Sequence, residues 1–462
     1  MKYISYYLIL PNLLFLIVSR FIFTNRPVVN LDYCLVGIIA PFIGMTLSTI
    51  LFLLTVLLDV VVSFAPVYHF SLTTLISVFK ELFKIQLGYV FTISTLVLLA
   101  AIAISLVSSS AEKSTTAIRT AVKTRAALLC TALVLFTFDV ANGSNYFRFS
   151  DTSLININIA WSASFKMAKA ALDVTSTKTR PGSHTTLPDN EHATAGFKLR
   201  KNNEHLVLII VESYGMSLDE KVNIALMSPF RDQKIIERYE IKNGTVPFNG
   251  STVPAELREL CGERAHAPDD IQTECLPKRL RDEGYATVSY HGYQSNFFDR
   301  IQWYPTMGFE RSYFFEDLRR TLPDQPLFRS VFTGIRDTDI AKLVHTELLT
   351  DPTRERKFIY WLTLNSHLPV SPMPLEHSFQ CNDFADTRDY SDVCGLQSII
   401  YDTFLSIASI AADPSLPPVH FILVGDHSPP FLLNSRRKLF NSTRVPFFEL
   451  IPKVSAHKIQ HD

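Results

Sequence analysis

The sequence predicts an α/β protein: a bundle of transmembrane helices at the amino end, then one soluble domain whose mainly parallel sheet lies between helices. Three observations predict it. Long apolar runs fill only the first third of the chain. Beyond residue 204, short strand-like apolar runs alternate with helix-like segments, the pattern of a parallel sheet covered on both faces. Two of those strands stop on metal-ligand residue types. One reads Leu206-Val-Leu-Ile-Ile-Val-Glu212-Ser213-Tyr214 and the other Phe421-Ile-Leu-Val-Gly425-Asp426-His427. They lie more than two hundred residues apart, so only a fold can unite them. Open parallel sheets present their sites at the carboxyl ends of strands.

In chain order, residues 3–24, 33–63, 87–107 and 126–141 are the apolar runs. A helix needs roughly 20 such residues to cross a bilayer, so about four spans are expected within 1–142. The run 33–63 is long for one helix, and 126–141 is short and contains Asp139. Between the last two runs lie Lys113, Arg119, Lys123 and Arg125. The positive-inside rule makes that loop cytoplasmic and sends the chain beyond about residue 142 to the other side. Residues 64–86, with Lys80, Glu81 and Lys84 among apolar neighbours, suit an interfacial helix. Residues 143–203 form a connector. Its first part mixes aromatic and small residues that could follow the membrane surface, and 175–195 reads as a flexible polar linker.

Residues 204–462 make the soluble domain. Strands are expected at 206–211, 286–290, 358–364, 419–424 and 447–451, and helices at 255–260, 276–283, 338–349 and 396–412. The 462 residues carry 44 basic and 44 acidic side chains, so no net charge favours nucleic acid. Cys34 and Cys130 fall in apolar runs, whereas Cys261 with Cys275 and Cys381 with Cys394 each bracket a polar loop. Four cysteines allow three pairings, and the short loops favour nearest neighbours. Such disulfides belong in an oxidising compartment.

One imidazole and two carboxylates, Glu212, Asp426 and His427, suit Zn²⁺ or Mn²⁺ and leave a coordination position open. Thr252, in Asn249-Gly250-Ser251-Thr252 ahead of a helix, is a candidate nucleophile. An alcohol needs activation near neutral pH, and a helix amino terminus stabilises an anion formed there.

Five stretches then carry a resemblance: Val211-Glu212-Ser213; Gly250-Ser251-Thr252-Val-Pro-Ala-Glu256-Leu; Tyr290-His291-Gly292 with Phe297-Phe298-Asp-Arg300; Thr363-Leu-Asn365-Ser-His367-Leu-Pro369; and Gly425-Asp426-His427. In order, across about 204–452, they resemble the lipoteichoic acid synthase type. These are membrane-anchored phosphoglycerol transferases of the alkaline phosphatase and sulfatase superfamily. The resemblance implies an alkaline phosphatase/sulfatase-like domain with one Mn²⁺ or Zn²⁺ on Glu212, Thr252, Asp426 and His427. It also implies Thr252 as nucleophile, and His291, Arg300 and His367 on the phosphate and headgroup. His367 would in addition protonate a leaving oxygen. Phe298 stands where this branch often has Trp against the headgroup.

The expected reaction moves phosphoglycerol from a membrane phospholipid to a glycan or glycolipid acceptor through a phosphothreonine. The expected setting is a multi-pass protein of a bacterial inner membrane, acting as a monomer with its catalytic domain in the periplasm. A phosphoethanolamine transferase is the nearest alternative; it would usually have Thr where Ser213 stands. A hydrolase is the next. The sulfatase aldehyde is disfavoured, because Thr252-Val-Pro254-Ala-Glu256 has Thr for Cys and Glu for Arg. A non-catalytic membrane protein that keeps the fold is the remaining reading.

Overall fold

The computed structural model describes residues 10–21, 29–65, 67–69, 160–168, 186–197 and 204–453, apart from 249, 266, 269–270, 272, 351–355 and 376. Two compact units divide at residues 181 and 182, with 432–434 grouped with the first.

In the first unit, helices span Leu10–Phe21 and Leu31–Phe64. The second is one continuous helix of 34 residues, about 51 Å at 1.5 Å per residue, so the run that is long for one helix is nonetheless one. Its start is locked by polar groups. Asn30 caps it by accepting from the Asp32 amide, and Asp32 accepts from the hydroxyls of Ser162 and Ser164 and from the Ser164 amide. Val29–Asn30 also pairs in parallel with Ala160–Trp161, so this part of the connector is ordered against the helix start. The runs 87–107 and 126–141 lie outside the described residues, as does nearly all of 64–86.

The second unit is built on a seven-stranded sheet. Its elements here are β1 (His205–Val211), α1 (Glu220–Leu226), α2 (Gln233–Arg238), β2 (Tyr239–Pro247), α3 (Thr252–Cys261), α4 (Leu276–Asp282), β3 (Tyr285–His291), α5 (Arg300–Met307), β4 (Arg311–Tyr313), α6 (Phe315–Thr321), α7 (Asp337–Leu349), β5 (Arg356–Leu362), α8 (Ser391–Ala412), β6 (Val419–Gly425) and β7 (Arg444–Pro452). The strand order is β2-β7-β6-β1-β5-β3-β4. From β6 to β4 every pair is parallel, while β7 runs antiparallel to both β6 and β2. The sheet is thus mixed but mainly parallel. Every residue of β1, β3 and β6 is buried, and β1 and β6 accordingly read as near-continuous apolar runs.

One core lies on each face. Val207, Ile209 and Val211 point to the side packed by α7 and α8, through Ile340, Val344, Ile400 and Phe404. Leu206, Leu208 and Ile210 point to the other, against Leu257 and Leu260 of α3 and Tyr304 of α5. Among the described residues two helices are long and apolar enough to cross a membrane. One lies within Leu31–Phe64; the other is α8, which is the buried core helix of this unit.

The expected disulfides form, Cys261 to Cys275 and Cys381 to Cys394. The first joins the end of α3 to the cap of α4. The polar stretch 186–197 belongs with this unit rather than forming open linker. Thr194 donates from its amide to the Glu259 carboxylate and from its hydroxyl to the Glu259 carbonyl, and Leu187, Ala193 and Phe197 are buried.

At the amino end of the sheet, His205 accepts through Nδ1 from the Lys357 amide. Burial, with the Lys357 charge behind it, pushes its pKa down from 6.5 to about 4. The folded state therefore refuses a proton that the unfolded chain accepts. This contribution is complete above pH 6.5 and is lost as pH falls toward 4, by up to about 3 kcal/mol. In detergent, the full-length protein is expected to show a urea midpoint that falls across this window. His205→Asn keeps an acceptor without titrating and should flatten the fall; an unchanged slope would refute the assignment.

Candidate metal and nucleophile site

The four central strands β6, β1, β5 and β3 end side by side. Val211 of β1 is in register with Gly425 of β6, Ile210 with Leu362 of β5, and Leu362 with His291 of β3. The next residue along β1 is therefore Glu212 and along β6 Asp426, on adjacent strands. Strand β5 leads into 363–369, and β3 itself ends on His291.

Glu212, Asp426 and His427 are all buried, and their ligand atoms lie within 4.8 Å of one another. His427 Nε2 is 3.2 Å from Asp426 Oδ2 and 3.7 Å from Glu212 Oε1. Thr252 Oγ1 completes the group, 3.1 Å from both Glu212 Oε2 and Asp426 Oδ2. Thr252 opens α3, so it stands where a helix leaves backbone N–H groups unpaired. Gly250, with φ of 110°, makes the turn that delivers it.

Electrostatics separate the two carboxylates. Burial drives Asp426 well above the usual carboxylate range, and the adjacent Glu212 charge pushes the same way. Burial also works on Glu212, but the charges of His367 and His427 and the Ser213 hydrogen bond outweigh it and hold Glu212 low. Two buried acids beside one imidazole and one hydroxyl cannot all ionise without a countercharge. That donor set fits a divalent cation, and one imidazole nitrogen with three oxygens suits Mn²⁺ or Zn²⁺.

The backbone around the site is tightly specified. Asp426 Oδ1 accepts from the amides of Ser213 and His427, while the Ser213 hydroxyl donates to Glu212 Oε1. Ser213 sits at φ of 55°, a strained setting for a non-glycine residue. Gly425 allows β6 to lie against the preceding loop: a Cβ there would come within 2.0 Å of the Tyr214 carbonyl oxygen.

Residues absent from the sequence expectation complete the frame. Thr363 accepts from the Glu212 amide and Ser366 donates to the Glu212 carbonyl. Asp337, the first residue of α7, accepts from the amides of Leu364 and Asn365, and Asn365 accepts from the Asp337 amide. Arg258 of α3 donates to the carbonyls of Gly425 and Asp426. Thr363 and Asn365 were visible inside a quoted motif. Asp337 and Arg258 had no sequence signal, since a helix-start acid and a helical arginine are ordinary.

The remaining expected residues divide. His367 is half-buried, with Nδ1 on the Leu368 carbonyl, and its charge acts on both Glu212 and His427. The Phe332 ring lies 4.2 Å from it, within an aromatic group with Tyr293 and Phe297. His291 is buried with Nδ1 on the Leu362 carbonyl; burial and then Arg300 lower its pKa to about 3, so the ring is neutral. Phe298 is half-buried, with its ring 5.6 Å from the Arg300 guanidinium carbon. Arg300 is only 2% exposed, and its fork is engaged by Glu256 at 2.7 Å.

With the geometry in place, residues 247–462 match the sulfatase family model. That segment contains Thr252, Asp426 and His427, and the paired strands bring in Glu212 from ahead of it. No curated protein matches the chain. Among solved structures, the lipoteichoic acid synthase LtaP of Listeria monocytogenes is similar over 55% of this chain and 67% of its own, at 14% identity and a TM-score of 0.41. The Streptococcus pyogenes phosphoglycerol transferase GacH, solved with sn-glycerol-1-phosphate, is similar over 54% and 69%, at 14% identity and 0.37. The Neisseria meningitidis lipooligosaccharide phosphoethanolamine transferase A, an integral membrane protein, is similar over 91% and 80%, at 15% identity and 0.48.

Proposed function

We propose that this chain is a membrane-anchored phosphotransferase that takes phosphoglycerol from phosphatidylglycerol and delivers it to a glycan or glycolipid hydroxyl. One observation carries the reading. The Thr252 hydroxyl lies 3.1 Å from each of two buried carboxylates on adjacent strand ends, at the first position of a helix. Glu212, Asp426 and His427, with Thr252 beside them, would hold the ion, either Mn²⁺ or Zn²⁺. Such a cation would supply Lewis-acid stabilisation of the charge that gathers on Thr252 Oγ and on the phosphoryl oxygens.

The chain's own groups account for the rest. Thr252 Oγ passes its proton to the Asp426 carboxylate, 3.1 Å away, and forms the new bond to phosphorus as the bond to the diacylglycerol oxygen breaks; it recovers that proton when it is displaced. His367, with Nδ1 committed to a carbonyl, presents Nε2 to give the departing oxygen its proton. The same nitrogen then takes a proton from the acceptor hydroxyl, which displaces Thr252 from phosphorus. Neutral His291 can hydrogen-bond the headgroup through Nε2, with Phe298 beside it.

The apolar helices would anchor the protein in a bacterial inner membrane, beside its lipid donor. The two disulfides support a periplasmic position for the soluble unit, and no second subunit is needed for the site. A phosphoethanolamine donor is the second reading; against it stand Ser213, where such enzymes usually have Thr, and the His291-Gly292 and Phe298-Asp299-Arg300 pattern that they lack.

The test is headgroup release from vesicles. The full-length protein with Mn²⁺ should liberate diacylglycerol from phosphatidylglycerol at least about tenfold faster than from phosphatidylethanolamine, a difference of about 1.4 kcal/mol in the barrier. The reverse preference would establish the second reading. Release from neither lipid, with cleavage of a soluble sulfate or phosphodiester, would make it a hydrolase.

A further inference from the structure

Every residue of α3 from Val253 to Cys261 is buried, yet the helix carries a full charge one turn beyond Thr252. Glu256 is completely buried. Its Oε2 accepts from Arg300 Nε at 3.1 Å and Nη2 at 2.7 Å, and its Oε1 from the hydroxyls of Tyr304 at 2.5 Å and Tyr360 at 3.0 Å. Four donors use the whole acceptor capacity of a carboxylate. They come from α5 and β5, so one side chain ties the helix bearing Thr252 to two other elements. Residues four apart share a helix face. The Glu256 anchor therefore lies directly beneath Thr252.

Arg300 is committed in the same way. Besides Glu256, it donates from Nη1 to the Phe297 carbonyl. It is reached through two consecutive non-glycine residues in the left-handed region, Phe298 at φ of 52° and Asp299 at 54°, a turn that costs energy. A buried ion pair is weak evidence of stability, since apolar replacements often serve as well. A strained turn that leads to such a pair points instead to placement.

We propose that Glu256 and Arg300 act as a positioning pair for Thr252, fixing its hydroxyl between Glu212 and Asp426. This deepens the proposed transfer and rests on that reading.

The experiment compares Glu256→Gln, Arg300→Lys, the double variant and Tyr360→Phe in full-length protein with Mn²⁺, using phosphatidylglycerol vesicles. Misplacement of a nucleophile by an ångström costs on the order of a hundredfold. Glu256→Gln and Arg300→Lys should each lower kcat by about tenfold to a hundredfold, with KM for the lipid within about twofold. The double variant should be no slower than Arg300→Lys, because the pair acts as a unit. Tyr360→Phe removes one donor, leaves the ion pair and should show a smaller kcat loss of the same kind, which covers any variant that fails to fold. A KM raised about tenfold or more in Arg300→Lys, with kcat kept, would overturn the proposal, as would multiplicative losses in the double variant. A crystal structure of Glu256→Gln reads the pair without turnover. Displacement of Thr252 Oγ1 from Glu212 and Asp426 supports positioning, and an unmoved Thr252 refutes it. A wild-type protein that releases no headgroup would remove the proposed function and leave this structural outcome to be judged by itself.

Discussion

Thr252→Ala is expected to lower diacylglycerol release from phosphatidylglycerol by about four orders of magnitude, the scale on which a covalent nucleophile is felt. The loss should be chemical rather than structural. Thr252 is half-buried and begins α3, and no side chain caps that helix. Removing its hydroxyl leaves Glu212 still bonded by Ser213 and Asp426 still bonded by two amides. Ser213 cannot stand in, because its hydroxyl is spent on Glu212 Oε1 at 2.9 Å and its backbone is held at φ of 55°. Thr252→Ser should retain measurable turnover, about tenfold reduced, since it keeps the alcohol but loses the β-branch that fixes χ1. Intact-mass measurement on lipid-treated protein should find a phosphoglyceryl adduct on the wild type and none on Thr252→Ala. Wild-type turnover in the alanine variant would sink covalent catalysis at this residue.

The same region separates what the sequence makes legible from what it hides. β1 and β6 are readable because both faces of a parallel strand are buried, so their apolar runs are continuous and the first polar residue marks the end. Glu212 and Asp426 stand out for that reason. β2 is hidden: it is an edge strand that exposes Glu240, Lys242 and Asn243 among its nine residues, and so has no apolar run. β4 has three residues and α5 contains Pro305, each too short or too interrupted for a periodic signal. The stretch 186–197 looks like linker because Leu187, Ala193 and Phe197 are its few buried apolar residues, while its attachment runs through buried Thr194 and Glu259.

Arg300 illustrates a different limit. A motif can identify a residue without saying where its side chain goes. The partner that captures its fork, Glu256, stood in the sequence as one member of a quoted stretch and as a mismatch to the sulfatase arginine, with nothing to pair it with Arg300. Arg258 is similar: two residues on along the same buried helix, it holds the carbonyls of Gly425 and Asp426. Local spacing cannot reveal an acid and a base whose partners lie on other elements. Together they make α3 the link between Thr252 and the corner formed by Glu212 and Asp426, a relation that exists only in three dimensions.

Asp426→Asn should abolish activity and yet stabilise the metal-free protein. In chelator, Asp426 lies against Glu212 with its pKa driven well up by burial and by that charge, so the wild type keeps two acids in a buried cluster at a cost. The amide oxygen of asparagine can still accept from Ser213 and His427, as Oδ1 does now, and its NH₂ would face Glu212 and Thr252 in place of Oδ2. Removing the cost of burying and protonating that acid should be worth about 1 kcal/mol, a rise of about 2–4 °C in Tm for a domain of this size. Adding Mn²⁺ or Zn²⁺ reverses the order. At a hundred times Kd, an ion bound only by the folded state stabilises it by about 2.7 kcal/mol. The wild type should gain that, whereas the variant has lost a charged ligand and should gain little. Melting curves in chelator and with each metal, with bound metal counted by elemental analysis, give the test. If the two proteins bind metal equally, or if the wild type melts at the same temperature with and without it, Asp426 is not part of a metal centre. A crossing of the two melting temperatures would identify it as a residue held for chemistry against the preference of the fold.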